Sequence, residues 1–441
     1  MGKKNRLKRA AKAKQRTAKP NPLRREAPEY DFTAAALPPT EIADLLLRAA
    51  FETANGNVGS AKEYAETIAS PRFLGLPADV ERAAQVATNH VLVRVFRDGW
   101  LPEDLHQVIR RRRDGMTAGY LVDQLAVYVQ QFAPATVHPV WHDQLEQLEA
   151  VAWWSPGKPH LGQWMAKHLL PLSDALVKVV EMLATLMTLY PVGLIAALPG
   201  TVRNQKATAH HGVNEKMLSR VRALLAKAES SSFPEEAEAL SAKAQELMTR
   251  HALDRVLVEA DSSVPSVVAT RRIWLDAPYL DAKSLLVDVV SKANRCRAIF
   301  HAELGFASVL GDENDLESVE LLVTSLLLQA TKAMVAGGSR QTRGGQSRTR
   351  SYRQSFLVAY ATRIGERLEQ ATSATIAEAP ESAKLLPVLA SQMRKVNAEF
   401  EDRYPSVVGK RVAVSNEEGW GAGKAAADRA QLDTRRAVDK E

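Results

Sequence analysis

Two histidines four residues apart, His138 and His142, have the spacing in this sequence that is most typical of metal ligands. A helix places such residues on one face, and imidazoles at this spacing bind zinc in metalloenzymes. Pro139 occupies the position of the glutamate that zinc peptidases use as a base, and no third or fourth ligand is indicated. We therefore predict no bound metal and no cofactor. His138 is interpreted as a residue at a helix start.

Acidic residues form a second cluster, with four carboxylates between Asp312 and Glu317. Paired carboxylates can act as general acid and base, but the ligand spacing and the glycine of a calcium loop are missing. Capping of a helix N-terminus is the preferred interpretation. The single cysteine, Cys296, is expected to be a small buried residue on a strand. If the chain is an enzyme, these acids, Cys296 and His301 mark where its site would lie, but no catalytic residue can be assigned.

The segment 419–424, GWGAGK, resembles a phosphate-binding loop in its glycines and its final lysine. That motif requires a glycine where Glu418 stands and a serine or threonine where Ala425 stands. We therefore reject a nucleotide site and predict a close turn, followed by a last helix over 423–436.

Positive charge is concentrated in three short segments. Residues 1–25 contain eleven Lys and Arg and no acid, so the formal net charge of +7 falls to −4 for residues 26–441. The Arg/Gly-rich stretch 337–353 holds five more arginines and no acid, and without them the net charge is −9. The third segment is the arginine run 110–113.

Such flexible cations favour binding to phosphates, since each neutralised phosphate releases counterions. The Arg-Gly-Gly texture of 337–353 resembles segments that track single-stranded nucleic acid. The expected contacts are Lys3, Lys4, Arg6, Lys8, Arg9, Arg340, Arg343, Arg348, Arg350 and Arg353. Alternatively, the tail serves solubility and 337–353 is a solvated connector between two helices.

The periodicity of apolar residues predicts the elements that must position these groups. Helical spacing dominates from 41 to 198, interrupted by prolines, whereas 267–275 reads as a strand, 280–293 as a helix, and 296–310 as a hairpin turning near Leu304 and Gly305. A helix over 316–335, apolar nearly all round, is expected at the centre of the C-terminal part. Helices over 352–372 and 382–400 follow, and 411–415 could form a strand.

The predicted helical hairpin at 216–254 has the most distinctive sequence pattern in the chain. Its pattern L-L-A-K-A, then E-A-E-A, then K-A-Q-E-L-M-x-R-H resembles the domain of unknown function 2786, found in actinobacterial and phage proteins. Ser232 and Glu235 are expected to cap the second helix. The phrase DGWLPEDL at 98–105 is similar to one in relatives of this family. The family has no established activity, so the resemblance implies a fold element and no reaction.

The predicted fold is mainly α and multidomain, with an N-terminal helical domain, a central helical hairpin and a C-terminal α+β domain containing a small antiparallel sheet. The predicted boundaries are a disordered basic tail 1–39, a helical domain 40–200, a linker 201–213, the hairpin 214–258 and the α+β domain 265–441.

The single cysteine and the absence of an apolar signal segment suggest a cytoplasmic protein. Residues 182–202 lack charge, but prolines and glycines interrupt them, so we expect no membrane span. The predicted function is an accessory protein that binds nucleic acid or another polyanion through flexible basic segments. Two alternatives stay open: an enzyme of unknown reaction with its site in the α+β domain, and a helical protein-interaction scaffold.

Overall fold

The computed structural model describes residues 37–57, 59–202, 211–230, 234–260, 268–336, 349–379, 382–407 and 415–429. These residues are mainly helical and include one small antiparallel sheet, as the sequence predicted. In chain order the elements are α1 Pro39–Ala54, α2 Ser60–Ala69, α3 Pro77–Arg97, α4 Pro102–Arg112, α5 Gly115–Val129, α6 Pro139–Gln147, α7 His160–His168, α8 Leu172–Met187, α9 His211–Ser230, α10 Pro234–Ala260, β1 Ala269–Trp274, α11 Leu280–Ala293, β2 Arg297–His301, β3 Phe306–Gly311, α12 Glu313–Ala336, α13 Thr349–Glu378, α14 Ser382–Arg403 and α15 Glu417–Arg429.

Prolines begin several of the helices, as their positions between the apolar runs indicated. Pro39, Pro102 and Pro139 each lie in the first turn, where the missing N–H costs no hydrogen bond and the fixed φ suits a helix. Helix α8 ends at Met187, three residues before the end near Tyr190 that the sequence suggested, and no helix follows it before residue 202.

The chain folds as two compact units, Met1–Val91 with Trp153–Thr188, and Leu92–Ala152 with Leu189–Glu441. The predicted helical segment 40–200 therefore contributes to both units. In the first unit, α1, α2 and α8 pack on one another through buried side chains such as Ile42, Leu46 and Leu183.

The second unit contains the sheet, whose strand order is β1-β3-β2 with both pairs antiparallel. Strand β3 is the central strand and is buried along its whole length. Ala307 lies opposite Ile273 on β1 and Phe300 on β2, which sets the register of both pairs. Because β2 pairs only with β3, one edge of β2 has no strand partner among the described residues.

Helix α12 lies at the centre of this unit, as its apolar pattern predicted. Leu316, Val319, Leu322 and Val323 are buried in a core shared with the sheet, the hairpin and α13. Within the described residues it is the one helix long and apolar enough to cross a membrane. Burial in this core accounts for that apolarity.

Two expectations for the C-terminal region are wrong. The glycine-rich segment 419–424 lies inside α15 and forms no turn. Its glycines serve helix packing, because a Cβ at Gly419 or Gly423 would collide with the backbone of α13. Absence of side chains at these positions lets the two helices approach closely. Helix α13 begins at Thr349, inside the stretch predicted as a loop, because Tyr352 starts its buried stripe.

Several predicted features lie outside the described residues. They are the basic tail, the greater part of the linker, Ser232, most of the Arg/Gly-rich stretch and residues 411–414 of the suggested strand.

Candidate functional site

Two of the ten residues predicted to contact phosphates lie in the described part of the chain. Arg350 and Arg353 lie on the first turns of α13, whereas the other eight residues are outside the described part of the chain. Arg350 is exposed, and within the described residues it has no ion-pair partner. Arg353 is half-buried, and its Nε–H is buried and donates to no acceptor among the described residues. Arg350 is therefore the better placed of the two to reach a ligand.

The arginine run 110–113 is engaged within the second unit. The guanidinium of Arg111 stacks on the ring of Trp274, 4.7 Å from its centroid, and lies 2.9 Å from the Asp276 carboxylate. Arg112 donates to the carbonyl of Glu303 at 3.3 Å. The run joins α4 to the segments that follow β1 and β2, which makes it a structural contact more than an open basic patch.

The acidic residues considered for an enzyme site are also held in structural contacts. Asp312 accepts from the backbone N–H of Asn314 at 3.0 Å and so caps α12, whereas the sequence had suggested Asn314 or Asp315 as the capping residue. Asp315 is paired with Arg295 at 2.8 Å, and Glu317 with Arg222 at 2.8 Å. These ion pairs account for two of the carboxylates that the sequence left available for chemistry.

Cys296 and the histidines have structural surroundings. Cys296 is fully buried, with its thiol against the carbonyl of Asn294, as expected for a small core residue. The ring of His138 accepts from the N–H of Val140 and caps α6, in agreement with the sequence interpretation. His142 lies 3.2 Å from the carbonyl of Pro134. Among the described residues, no three His, Cys, Asp or Glu side chains converge as a metal site would require.

His301 at the end of β2 packs against Phe306, with ring centroids 4.5 Å apart, and its Nε2 lies 3.1 Å from the hydroxyl of Ser308. Burial, together with the nearby positive charge of Arg272, lowers the pKa of His301 to about 4. The imidazole is therefore neutral at physiological pH. A base of such low pKa is poorly matched to proton transfer near pH 7.

A buried polar cluster that the sequence reasoning missed joins α4 to β1. Asp104 accepts from Arg272, from the indole N–H of Trp274 at 2.9 Å and from the backbone N–H of Leu101 at 3.1 Å. Arg272 also donates to the carbonyl of Gly193 at 3.0 Å. Asp104 belongs to the segment DGWLPEDL, and the signal for Arg272 was a charged residue on a predicted strand, next to the apolar Ile273. The cluster is a structural contact within the second unit, because Asp104 accepts three hydrogen bonds and Arg272 donates two, although the Nε of Arg272 is buried without an acceptor among the described residues.

A groove runs along the free edge of β2, and we call it the β2 groove. Its larger chamber, about 720 Å³, is lined by residues 298–300 of β2, by one face of α11 and by residues 403–407. Successive side chains of a strand point to opposite faces, so a chamber that contacts three consecutive residues follows the strand edge. A smaller chamber of about 390 Å³ shares Asp281 and Phe300 with the first and reaches Arg350.

The acids 312–317 do not line either chamber of the β2 groove. Its aromatic side chains are Tyr279, Phe300 and Tyr404, and its exposed cations are Lys292, Arg350 and Arg403. Tyr279 lies just before α11, Lys292 within α11 and Phe300 on β2. Arg350 lies on α13, Arg403 on α14 and Tyr404 directly after α14. Sequence reasoning missed the groove because no single segment contains its pattern.

The hairpin of α9 and α10 contributes packing to the second unit and lines neither chamber. Val221, Leu225, Ala244 and Met248 are buried in the core with α12 and α13. Gln245, which belongs to the K-A-Q-E-L-M pattern of the hairpin, is buried as well. It donates to Asn294 at 3.1 Å and lies 3.4 Å from the hydroxyl of Thr372, which ties α10 to α11 and α13.

A comparison with known protein families agrees with the resemblance inferred from the sequence of the hairpin. Residues 216–255 match the family model described as a protein of unknown function, DUF2786. Neither the curated proteins nor the solved structures contain a match to the chain. The chain therefore carries, in α9 and α10, a domain of the DUF2786 family.

Proposed function

We propose that this protein binds nucleic acid through electrostatic contacts made by its basic segments. The observation that carries the proposal is the position of Arg350, which is exposed at the β2 groove and belongs to the Arg/Gly-rich stretch 337–353. A cation without an ion-pair partner among the described residues can neutralise a phosphate without first breaking a salt bridge.

The distribution of charge supports the same proposal. Residues 1–25 hold eleven cations and 337–353 hold five, whereas the rest of the chain has a net charge of −9. A body of that sign repels a polyanion, so attraction must come from the segregated cations. The contacts are expected to position the backbone of the nucleic acid and to read little sequence.

The enzyme alternative has less support. Asp315 and Glu317 are held in ion pairs, Asp312 caps a helix, and Cys296 is buried. Each of these side chains would have to leave a structural contact before it could act on a substrate.

A fluorescence anisotropy titration at low salt tests the proposal. The intact chain is expected to bind labelled oligonucleotides of unrelated sequence with similar affinity. Arg350→Ala should weaken binding several-fold, whereas Arg220→Ala, which removes an exposed cation from the hairpin, should leave it unchanged. Failure of the intact chain to bind any oligonucleotide would overturn the proposal.

A further inference from the structure

The β2 groove combines flat aromatic side chains with cations, which a simple electrostatic surface does not require. Phe300 lies where the two chambers meet, since it lines both of them. Tyr279 lies in the smaller chamber and Tyr404 in the larger. All three rings are half-buried, so each leaves part of its surface accessible from the groove.

Three exposed cations line the groove. Lys292 and Arg403 belong to the larger chamber and Arg350 to the smaller one. Lys292 is paired with Asp288 at 2.6 Å and Arg403 with Glu399 at 2.6 Å, whereas Arg350 has no ion-pair partner among the described residues. Uncompensated positive charge therefore lies beside the smaller chamber, at Arg350, whereas a phosphate in the larger chamber would have to share Lys292 and Arg403 with their carboxylate partners.

Acidic side chains also line the groove and limit where a phosphate can lie. Asp281 lines both chambers, and Asp288 lines the larger one, where Lys292 neutralises it. A carboxylate repels a phosphate but accepts hydrogen bonds from the exocyclic amino groups of bases. The arrangement therefore favours bases between the aromatic rings and phosphates beside the exposed cations.

We propose that the β2 groove binds a single strand of nucleic acid, with unstacked bases against Tyr279, Phe300 and Tyr404 and with phosphates at Arg350, Lys292 and Arg403. This inference rests on the proposed function and names the form of nucleic acid that it requires. Bases of a duplex are stacked on each other, so their faces cannot reach the aromatic rings. An extended peptide added to the free edge of β2 is the other way to fill the groove. The cations and the three aromatic rings favour the nucleic acid.

Anisotropy titrations with the full chain test the inference, using labelled twelve-nucleotide single strands of DNA and of RNA and a duplex of the same DNA sequence. The test variant is Phe300→Leu with Tyr404→Leu, since leucine keeps the apolar bulk and removes the aromatic face. Base–aromatic stacking is sequence-tolerant and strong, so single-strand affinity should fall at least about tenfold. Duplex affinity should change little. The single replacements, measured alongside, keep the test valid if the double variant fails to fold.

Two controls separate stacking from charge. Trp153→Leu removes an exposed aromatic residue of the first unit and should leave binding unchanged. The leucine variants remove no charge, so they should lower affinity by the same factor at every salt concentration. Arg350→Ala should instead flatten the dependence of log affinity on log salt, by about 0.7 for each contact to a single-strand phosphate that is lost.

The outcomes distinguish the two proposals. Weakened binding of either single strand, DNA or RNA, by the leucine variants supports the inference. Equal binding of single strand and duplex, with the leucine variants unchanged, overturns it and leaves the proposed function standing. The groove would then be open to a peptide strand. No binding of any oligonucleotide at low salt overturns both.

Discussion

Asp104 and Arg272 stand 168 positions apart and form a buried ion pair, with side chains 5% and 3% exposed. The pair fastens the start of α4 to β1 in the second unit. A buried pair of this kind contributes little net stability compared with apolar residues, but removal of one partner leaves the other charge without compensation.

Asp104→Asn should therefore destabilise the protein by about 3–5 kcal/mol. The amide keeps the shape of the side chain and can still accept from Trp274, but its NH2 group replaces the oxygen that accepts from Arg272 and from the N–H of Leu101. The loss therefore reports the ion pair together with the hydrogen bond to Leu101. Thermal and denaturant unfolding measure it. The matched control is Asp276→Asn, which removes an exposed partner of Arg111 and should cost at most about 1 kcal/mol. Equal effects of the two substitutions would contradict the assigned role of the pair.

Glycines in α15 offer a test of its close contact with α13. A Cβ at Gly423 would lie 2.2 Å from the carbonyl oxygen of Phe356, whereas a Cβ at Gly421 would meet nothing within 4 Å. Gly423→Ala should destabilise by about 1–3 kcal/mol or more, because the backbone must move. Gly421→Ala should stabilise by about 0.5–1 kcal/mol through helix propensity. If unfolding curves show the same change for both, α15 does not pack on α13 as described.

The hairpin should act as a packing element. Leu225→Asp places a charge in the core beside Val221 and Ala244 and should cost several kcal/mol, about the penalty for a buried unpaired charge. Ala226→Asp, one residue further along and exposed, is the control and should change stability by less than about 0.5 kcal/mol. An unchanged melting temperature for Leu225→Asp would show that the hairpin assignment is wrong.

His301 should make the protein sensitive to acid. Its folded pKa is about 4, whereas the unfolded value is 6.5, so between these values the unfolded chain binds a proton that the folded chain does not. Stability contributed by this residue is complete above pH 6.5 and is lost progressively as the pH falls to about 4. The stability of wild type minus that of His301→Gln should therefore decline over this window and level off below it. A pH-independent difference would contradict the burial of a neutral imidazole.

Local patterns were sufficient to predict much of the fold. The helix at 280–293 was anticipated from its periodicity, and so was the hairpin turning at Gly305, because short-range spacing determines both. The glycine run at 419–423 was misread, since the preference of glycine for turns is overridden when a close helix contact requires it.

The candidate site was harder to predict for a different reason. Phe300, Arg350 and Tyr404 come from three separate segments, and only the tertiary fold brings them to one groove. Arg350 was selected for its charge alone, and the aromatic residues were not selected at all.

The salt dependence of nucleic-acid affinity tests the central claim most directly. For the intact chain, log affinity should fall linearly with log salt concentration. Deletion of residues 1–25, which removes eleven cations, should lower the affinity for any sequence and flatten this slope. Replacement of Arg340, Arg343, Arg348 and Arg350 by alanine should do the same, and the two effects should roughly add if the segments act independently. Absence of binding at low salt, or a slope that neither change alters, would contradict the account.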